Sequence, residues 1–303
     1  MTGQFFRFLG ALPVAAMALL PGAALAAEAG QPEQGQIGFQ ESVTPIMDSI
    51  EVFHNSLLIW VISAIVILVL GLLITVIVRF NAKANPVPSK TTHNTLIEII
   101  WTVAPVLILV IIAIPSFGIL TDQETMPDGV RKYLGSSIFN FGAVDVPAPG
   151  LTVKATGNQW FWTYTYPDLK KHFDSNILSD ADLKKLKPTE PRLLAVDNDL
   201  VVPVNTTVRV QVNGADVIHS FAVPSFGIKI DAVPGRLNET WFNARKTGIF
   251  YGQCSQLCGK DHAFMPIAVR VVTKEQYDAW SKALAAGDVS KANATLPPVE
   301  ANS

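Results

Sequence analysis

The sequence predicts an all-β sandwich or barrel held outside a membrane by a two-helix transmembrane hairpin. Three observations point there. Two long apolar runs without a charge, Leu57 to Val78 and Ile99 to Leu120, occupy the first half of the chain. From Leu151 onward apolar residues recur with period two in short segments, as they do in half-buried strands. Between those segments stand Gly, Pro and Asn, the residues that set turns. The 303 residues have room for about two domains on the usual prior of roughly 150 each. A content of 49% hydrophobic and 16% charged residues is apolar for a soluble chain, so the two parts differ in kind. The net charge of −2, with no basic stripe, excludes a nucleic-acid partner.

At the N-terminus, Arg7, a short apolar stretch and the triplet Ala24, Leu25, Ala26 form a secretory signal peptide over residues 1–26, cleaved after Ala26. The stretch contains Pro13 and Pro21 and has no cysteine to carry a lipid, which argues against a short membrane anchor. Residues 27–48 form a periplasmic N-terminal segment, and residues 49–122 the hairpin, with spans at 57–78 and 99–120. Each span is long enough to cross a hydrocarbon core of about 30 Å. A buried helix of a soluble protein can be as apolar, but two runs joined by a short polar loop favour a hairpin. Arg79, Lys83 and Lys90 fill that loop, whereas Asp122, Glu124 and Asp128 follow the second run. The excess of cations places the loop in the cytoplasm and both chain ends outside, in the periplasm if the membrane is the inner (plasma) membrane of a bacterium. His54 and His93 flank the spans and are read as neither ligands nor proton carriers.

The outer domain, residues 123–273, contains the strand-like segments LTVKAT, QWFWTYTY, TVRVQV, SFAVP, TWFNA, GIFYG and IAVRVV. Turns are expected at Gly157 with Asn158, at Asn213 with Gly214 and at Pro234 with Gly235. In the aromatic segment Trp162 reads as core. Thr273 to Ala286 reads as a helix, with Thr273 and Gln276 as a capping box and Gly287 as its stop. Residues 274–303 are therefore this helix followed by a mobile polar tail.

The chain's two cysteines fall in one stretch, YGQCSQLCGKDHAFMPI, as Cys254 and Cys258, with His262 and Met265 behind them. His219 in DVIHSFAVPSFG is a further candidate from upstream. Thiolate, imidazole and thioether together select copper over calcium or magnesium. A mononuclear blue copper site would leave one cysteine over. Two thiolates bridging two coppers would use all five side chains. A disulfide is the plain alternative in an oxidising compartment, and a tetrahedral zinc site of both cysteines and both histidines is another. Ligand types alone leave these readings open.

The segments CSQLCGKDHAFMPI, HSFAVPSFGIKIDAVPGRLN and GNQWFWTYTYPD, together with GFQESVTPI and EIIWTVAPVLILV, make the chain resemble cytochrome c oxidase subunit II from about Ile37 to Trp280. The resemblance implies a cupredoxin-like Greek-key barrel carrying two copper ions, the CuA centre. In that reading Cys254 and Cys258 bridge the metals, His219 and His262 bind one each, and Met265 and the backbone carbonyl of Gln256 are weak ligands. Relatives usually have glutamate at position 256, where it also helps hold magnesium at the subunit I interface. A neutral amide is a poorer magnesium ligand, so the resemblance supports copper more firmly than magnesium. It further implies Trp160 as the indole that receives the electron, Asp168, Asp197 and Asp216 as acids that attract cytochrome c, and Glu98 at the mouth of a proton channel. Asp231 and Arg236 are expected to face subunit I. Thr165 and Lys170, with Lys171 alongside, depart from the acidic docking pattern and predict a weak salt dependence of donor oxidation. Expected partners are subunit I, subunit III, cytochrome c and the membrane. With no Cys-x-x-Cys-His, no haem is expected in this chain. Reduction of oxygen to water, coupled to proton translocation, would then occur in subunit I. A membrane-anchored periplasmic copper-binding or copper-delivery protein is the rival reading. A quinol oxidase subunit would lack the copper ligands.

Overall fold

The computed structural model describes residues 30–133 and 144–298. The expected signal peptide lies outside them. The first membrane helix runs from Pro45 to Arg79 and begins well before the apolar run. Thr44 caps it by accepting from the Met47 amide at 3.1 Å, with Pro45 in the first turn, where its missing N–H costs nothing. Its opening turns are amphipathic and bury Ile46, Met47 and Ser49 against the outer domain. After one π-helical stretch, His54–Leu58, the apolar part Ile59–Arg79 buries no residue in the described chain. The second membrane helix, Thr95–Glu124, is capped by Asn94 and contains Pro105 and Pro115. Its outer end buries Ile119 and Asp122.

Beyond a two-stranded ribbon, β1 (Lys132–Tyr133) and β2 (Val144–Asp145), the described residues of the outer domain form ten strands. These are β3 (Leu151–Asn158), β4 (Phe161–Tyr166), β5 (Lys171–Ser175), β6 (Leu200–Pro203), β7 (Thr207–Gly214), β8 (His219–Val223), β9 (Ile228–Ala232), β10 (Asn238–Asn243), β11 (Gly248–Cys254) and β12 (Pro266–Val272). One sheet has the order β10-β7-β3-β4-β5, the other β6-β12-β11-β8-β9. Two pairs, β3 with β7 and β6 with β12, are parallel, because the chain crosses between the sheets before it returns. β3 and β4 alternate buried and half-buried residues along their whole length. The core between the sheets holds Val153, Trp162, Val210, Phe221, Trp241, Phe250 and Val269, each fully buried.

The strand-like segments all form strands, and the described residues contain five further strands that were not expected. β1 and β2 are too short for a period. β5 is a polar edge strand, Lys-His-Phe-Asp-Ser. β6 is buried at every position, so it reads as a continuous apolar run rather than an alternating one. β9, Ile-Lys-Ile-Asp-Ala, does alternate but was not among the expected strands; it is an edge strand of only five residues. Two expected turns need correction. Gly157 with Asn158 and Asn213 with Gly214 are the last residues of β3 and β7, and the chain turns after them. Their glycines serve close approach. A Cβ on Gly157 would lie 2.8 Å from the His219 ring, and one on Gly214 2.6 Å from the Val217 carbonyl oxygen.

The C-terminal helix, Lys274–Ala286, has the capping box expected at Thr273 and Gln276. The start of the tail has secondary structure that its composition did not suggest. Val289–Asn293 is a second short helix with Ala292 fully buried, and Asn293 accepts from the Trp280 indole at 3.0 Å. A polar composition concealed these few anchoring contacts. The outer domain also sits directly on the membrane helices. The Trp241 indole donates to the Asp122 carbonyl at 2.9 Å, Thr44 donates to the Phe226 carbonyl at 2.7 Å, and Arg245 pairs with Asp48.

Candidate metal centre

The expected ligands converge at one end of the barrel. Cys254 ends β11 and pairs with Phe221 of β8, which brings it beside His219 at the start of that strand. The loop from Ser255 to Met265 then crosses the end of the barrel. Cys254 Sγ lies 3.8 Å from Cys258 Sγ, and both cysteines are free thiols, so the disulfide is not formed. His219 Nδ1 is 3.9 Å from Cys254 Sγ and His262 Nδ1 is 3.5 Å from Cys258 Sγ. Met265 Sδ is 3.6 Å from Cys258 Sγ, and the Gln256 carbonyl oxygen is 3.3 Å from Cys254 Sγ. The ligand atoms of His219, Cys254 and Cys258 all lie within 4.8 Å of one another, and His262 stands apart on the Cys258 side.

This donor set fits soft metal ions. Two thiolates bound at about 2.3 Å to one tetrahedral metal sit roughly 3.8 Å apart. The Cys254–Cys258 spacing meets that requirement without rearrangement. One histidine beside each sulfur, with a thioether and a carbonyl further out, supplies donors on both sides of the sulfur pair. A single zinc ion would use both histidines at once, whereas here they lie on opposite sulfurs.

The thiols differ in acidity. Burial pushes Cys254 up, but the hydrogen bond from His219 and backbone contacts at Gln256 and Ser220 outweigh it and bring the thiol down to about 6. Burial, and then the charge on Cys254, pushes Cys258 up to about 12. The pair thus gives up one proton readily and retains the second until a cation replaces it. Burial lowers His219, but its bonds to Cys254 and Asp216 win and raise it. The His219 ring is fully buried, 6.1 Å from Trp162 between ring centres and against Gly157.

Trp160 stands in the β3–β4 turn, half-buried rather than fully exposed. Its indole donates to the Cys258 carbonyl at 3.2 Å, as does the Gln159 side chain at 2.9 Å. Gly259, with φ of +125°, lets the loop pass under the indole, since a Cβ there would lie 2.9 Å from it. Lys260 Nζ lies 5.5 Å from the centre of the Trp160 rings and 3.7 Å from Asp261. Neither Gly259 nor Lys260 was singled out from sequence, although a glycine directly after a ligand cysteine could have been. Trp162 is core, as expected, and donates to the Met265 carbonyl at 3.3 Å.

Among the expected docking acids, Asp168 is exposed beside the β4–β5 turn. Asp197 is occupied in fastening a loop, accepting from the Asn176 and Asn198 amides at 2.7 Å each. Asp216 alone reaches the metal site, where it contacts His219 Nε2 at 2.9 Å. Glu98 lies at the far end of the second membrane helix and accepts from the Asn94 amide at 3.2 Å, which completes the cap of that helix. Asp231 pairs with Lys229 at 3.7 Å, and Arg236 is exposed.

A β-sandwich fastened to two apolar helices, with a thiolate-imidazole-thioether cluster at one end, defines a membrane-anchored metalloprotein of the electron-transfer kind. Residues 151–272 match the family described as "Cytochrome C oxidase subunit II, periplasmic domain" and residues 32–119 "Cytochrome C oxidase subunit II, transmembrane domain". The chain is 50% identical over 268 residues to the probable cytochrome c oxidase subunit 2 of Rickettsia bellii, covering 87% of this chain and 91% of that one. It is 41% identical over 287 residues to cytochrome c oxidase subunit 2 of Cereibacter sphaeroides, covering 90% and 88%. A crystal structure of the periplasmic domain of subunit II of cytochrome oxidase (CoxB) of Bradyrhizobium japonicum is 62% identical, covers 45% of this chain and 94% of that one, and has a TM-score of 0.41.

The chain therefore belongs to the cytochrome c oxidase subunit II family, with a cupredoxin-like periplasmic domain. Proteins of this family are subunits of haem-copper terminal oxidases and carry CuA.

Proposed function

We propose that this chain receives single electrons from a cytochrome c at a dinuclear copper site and hands them to haem in subunit I of the same oxidase. The observation that carries the reading is the pair of free thiols 3.8 Å apart with one imidazole beside each. Cys254 and Cys258 would hold both coppers, His219 and His262 one each, with Met265 and the Gln256 carbonyl as weak ligands. When bound, the copper pair supplies a one-electron relay whose charge is shared over two metals. The protein contributes rigidity: the ligands stand on paired strands and a short loop fixed by Gly259 and by hydrogen bonds to the Cys258 carbonyl. Trp160 gives the donor's electron a path, because its indole is half-exposed at one edge and bonded to the Cys258 main chain at the other.

Asp168, Asp197 and Asp216 would attract the basic donor, and Glu98 would admit protons at the inner face. Subunits I and III are the proposed neighbours, since the apolar face of Ile59–Arg79 is uncovered in the described chain. A bacterial inner membrane, a signal peptide over residues 1–26 and no haem in this chain complete the reading. Magnesium at the subunit I interface is disfavoured by Gln256.

The test is metal stoichiometry and spectroscopy of the full chain expressed with copper. Two coppers per chain and a delocalised mixed-valence EPR signal are expected. One copper with a blue spectrum, or zinc alone, would overturn the reading.

A further inference from the structure

Asp216 makes contacts that attraction of a distant donor does not require. Its Oδ1 accepts from the Val217 amide at 2.6 Å and lies 2.9 Å from His219 Nε2, and its Oδ2 accepts from the Gln159 amide at 2.8 Å. Gln159 in turn donates its side-chain amide to the Cys258 carbonyl at 2.9 Å. These bonds run from one expected ligand, His219, through Asp216 and Gln159 to another, Cys258. They join three separate pieces of chain at the end of the barrel: the β3–β4 turn, the β7–β8 connection and the cysteine loop. Trp160 is the residue after Gln159 and hangs from the same Cys258 carbonyl.

A carboxylate is an acceptor only, so the nitrogen of His219 that faces it must carry the proton. Nε2–H then points at Asp216, and Nδ1 faces Cys254, 3.9 Å away, as the nitrogen whose lone pair a metal would take in place of the proton it shares with that sulfur. The ring cannot choose the other arrangement by turning over, because it is fully buried and pressed against Gly157. Partners of this kind fix the tautomer of a ligating histidine and raise its basicity.

We infer that Asp216 is a positioning residue of the metal centre, selecting Nδ1 of His219 as the ligand and tying that ligand to the Trp160 turn. The inference rests on the copper reading above and adds a role to an acid otherwise read as part of a docking surface. An asparagine at 216 would keep one acceptor oxygen but present N–H groups to the remaining donors, so it would satisfy one side of the junction and repel the other. An alanine would release both.

The experiment compares Asp216→Asn, Asp216→Ala and the surface control Asp278→Asn in the full chain, with Cu(I) chelator competition, EPR and the reduction potential of the loaded protein. Histidine 15N spectra of the metal-free protein follow the His219 tautomer. Asp216→Ala is expected to hold copper roughly 10- to 100-fold less tightly, to raise the reduction potential and to lose the protected Nε2–H signal. Asp216→Asn should fall between, and Asp278→Asn should match the parent. If Asp216→Ala binds copper as tightly as the parent at the same potential, and only the salt dependence of donor oxidation changes, the inference is overturned. A parent chain that takes up no copper would refute the copper reading. The His219 signal would still decide the positioning role: selective loss in Asp216→Ala supports it, and no change refutes it.

Discussion

Single residues around the metal centre are chosen for fit as much as for ligation. Gly259 must be glycine twice over, because its φ is +125° and a Cβ would press on Trp160 at 2.9 Å. Gly259→Ala should cost of order 1–3 kcal/mol from backbone strain alone. It should also displace the indole, visible as a lower melting temperature together with altered tryptophan fluorescence and slower donor oxidation. Lys260 places a cation beside that indole, 5.5 Å from its ring centre. A basic donor meets it as a repulsive charge, so Lys260→Ala should raise the second-order rate of cytochrome c oxidation at low ionic strength and steepen its fall with salt. An unchanged salt profile would show that the donor docks elsewhere. The weak salt dependence expected from Thr165 and Lys170 is reinforced by Lys260. Lys171 donates to the Gly287 carbonyl at 3.0 Å, which fixes the position of its ammonium but leaves its charge in place.

Elements are secured by a few local devices that can be removed one at a time. Thr273→Ala removes the hydroxyl half of the capping box of the C-terminal helix, leaving only the Thr273 amide bond to Gln276, and should cost about 0.5–2 kcal/mol. Because that helix buries Trp280 against Tyr166 and Phe173, the loss should lower the thermal midpoint of the whole barrel rather than fray one helix. Across the β7–β10 pair, Glu239 accepts from Arg209 and Gln211. Burial raises the Glu239 carboxyl, but these bonds outweigh it and hold it below its usual value. A depressed folded-state value means stabilisation that is complete above the unfolded carboxyl value of about 4.3 and lost as pH falls through the folded one. The gap in melting temperature between the parent and Glu239→Gln should therefore be widest near neutrality and close below about pH 4. A gap independent of pH would assign the effect to packing.

At the scale of the whole molecule, the barrel and the membrane helices are joined by hydrogen bonds and ion pairs where they meet. Trp241 belongs to the barrel core and donates to the Asp122 main chain of the second membrane helix, and Arg131 pairs with the Asp122 side chain at 3.0 Å. Trp241→Phe keeps most of the buried ring area and removes that hydrogen bond, worth about 0.5–1.5 kcal/mol. A drop of that size in chemical denaturation of the full chain is expected. Below this joint the apolar part of the first helix is bare in the described chain, a surface that water would not tolerate and that lipid or neighbouring helices must cover. With the connecting loop inside, a cysteine placed at Ser89 should react with an impermeant thiol reagent only after the cells are opened. Reaction in intact cells would invert the proposed topology.

Much of this molecule was legible in one dimension. The hairpin, the strand segments with period two, the capping box at Thr273 and the two thiols of the cysteine loop rest on local composition and spacing, which a linear sequence records in full. β5, β6 and β9 were less legible because an edge strand carries charges and a doubly covered strand loses its alternation. The glycines at 157 and 214 read as turns because sequence shows permissive backbone, not the ring or carbonyl pressed against it. The donor types at 219, 254, 258, 262 and 265 were evident from sequence, whereas their spacing, the state of the thiols and the second use of Asp216 were decided by tertiary structure. A distance of 3.8 Å between two sulfurs, or a carboxylate shared between His219 and the Trp160 turn, exists only once β3, β8 and β11 have packed.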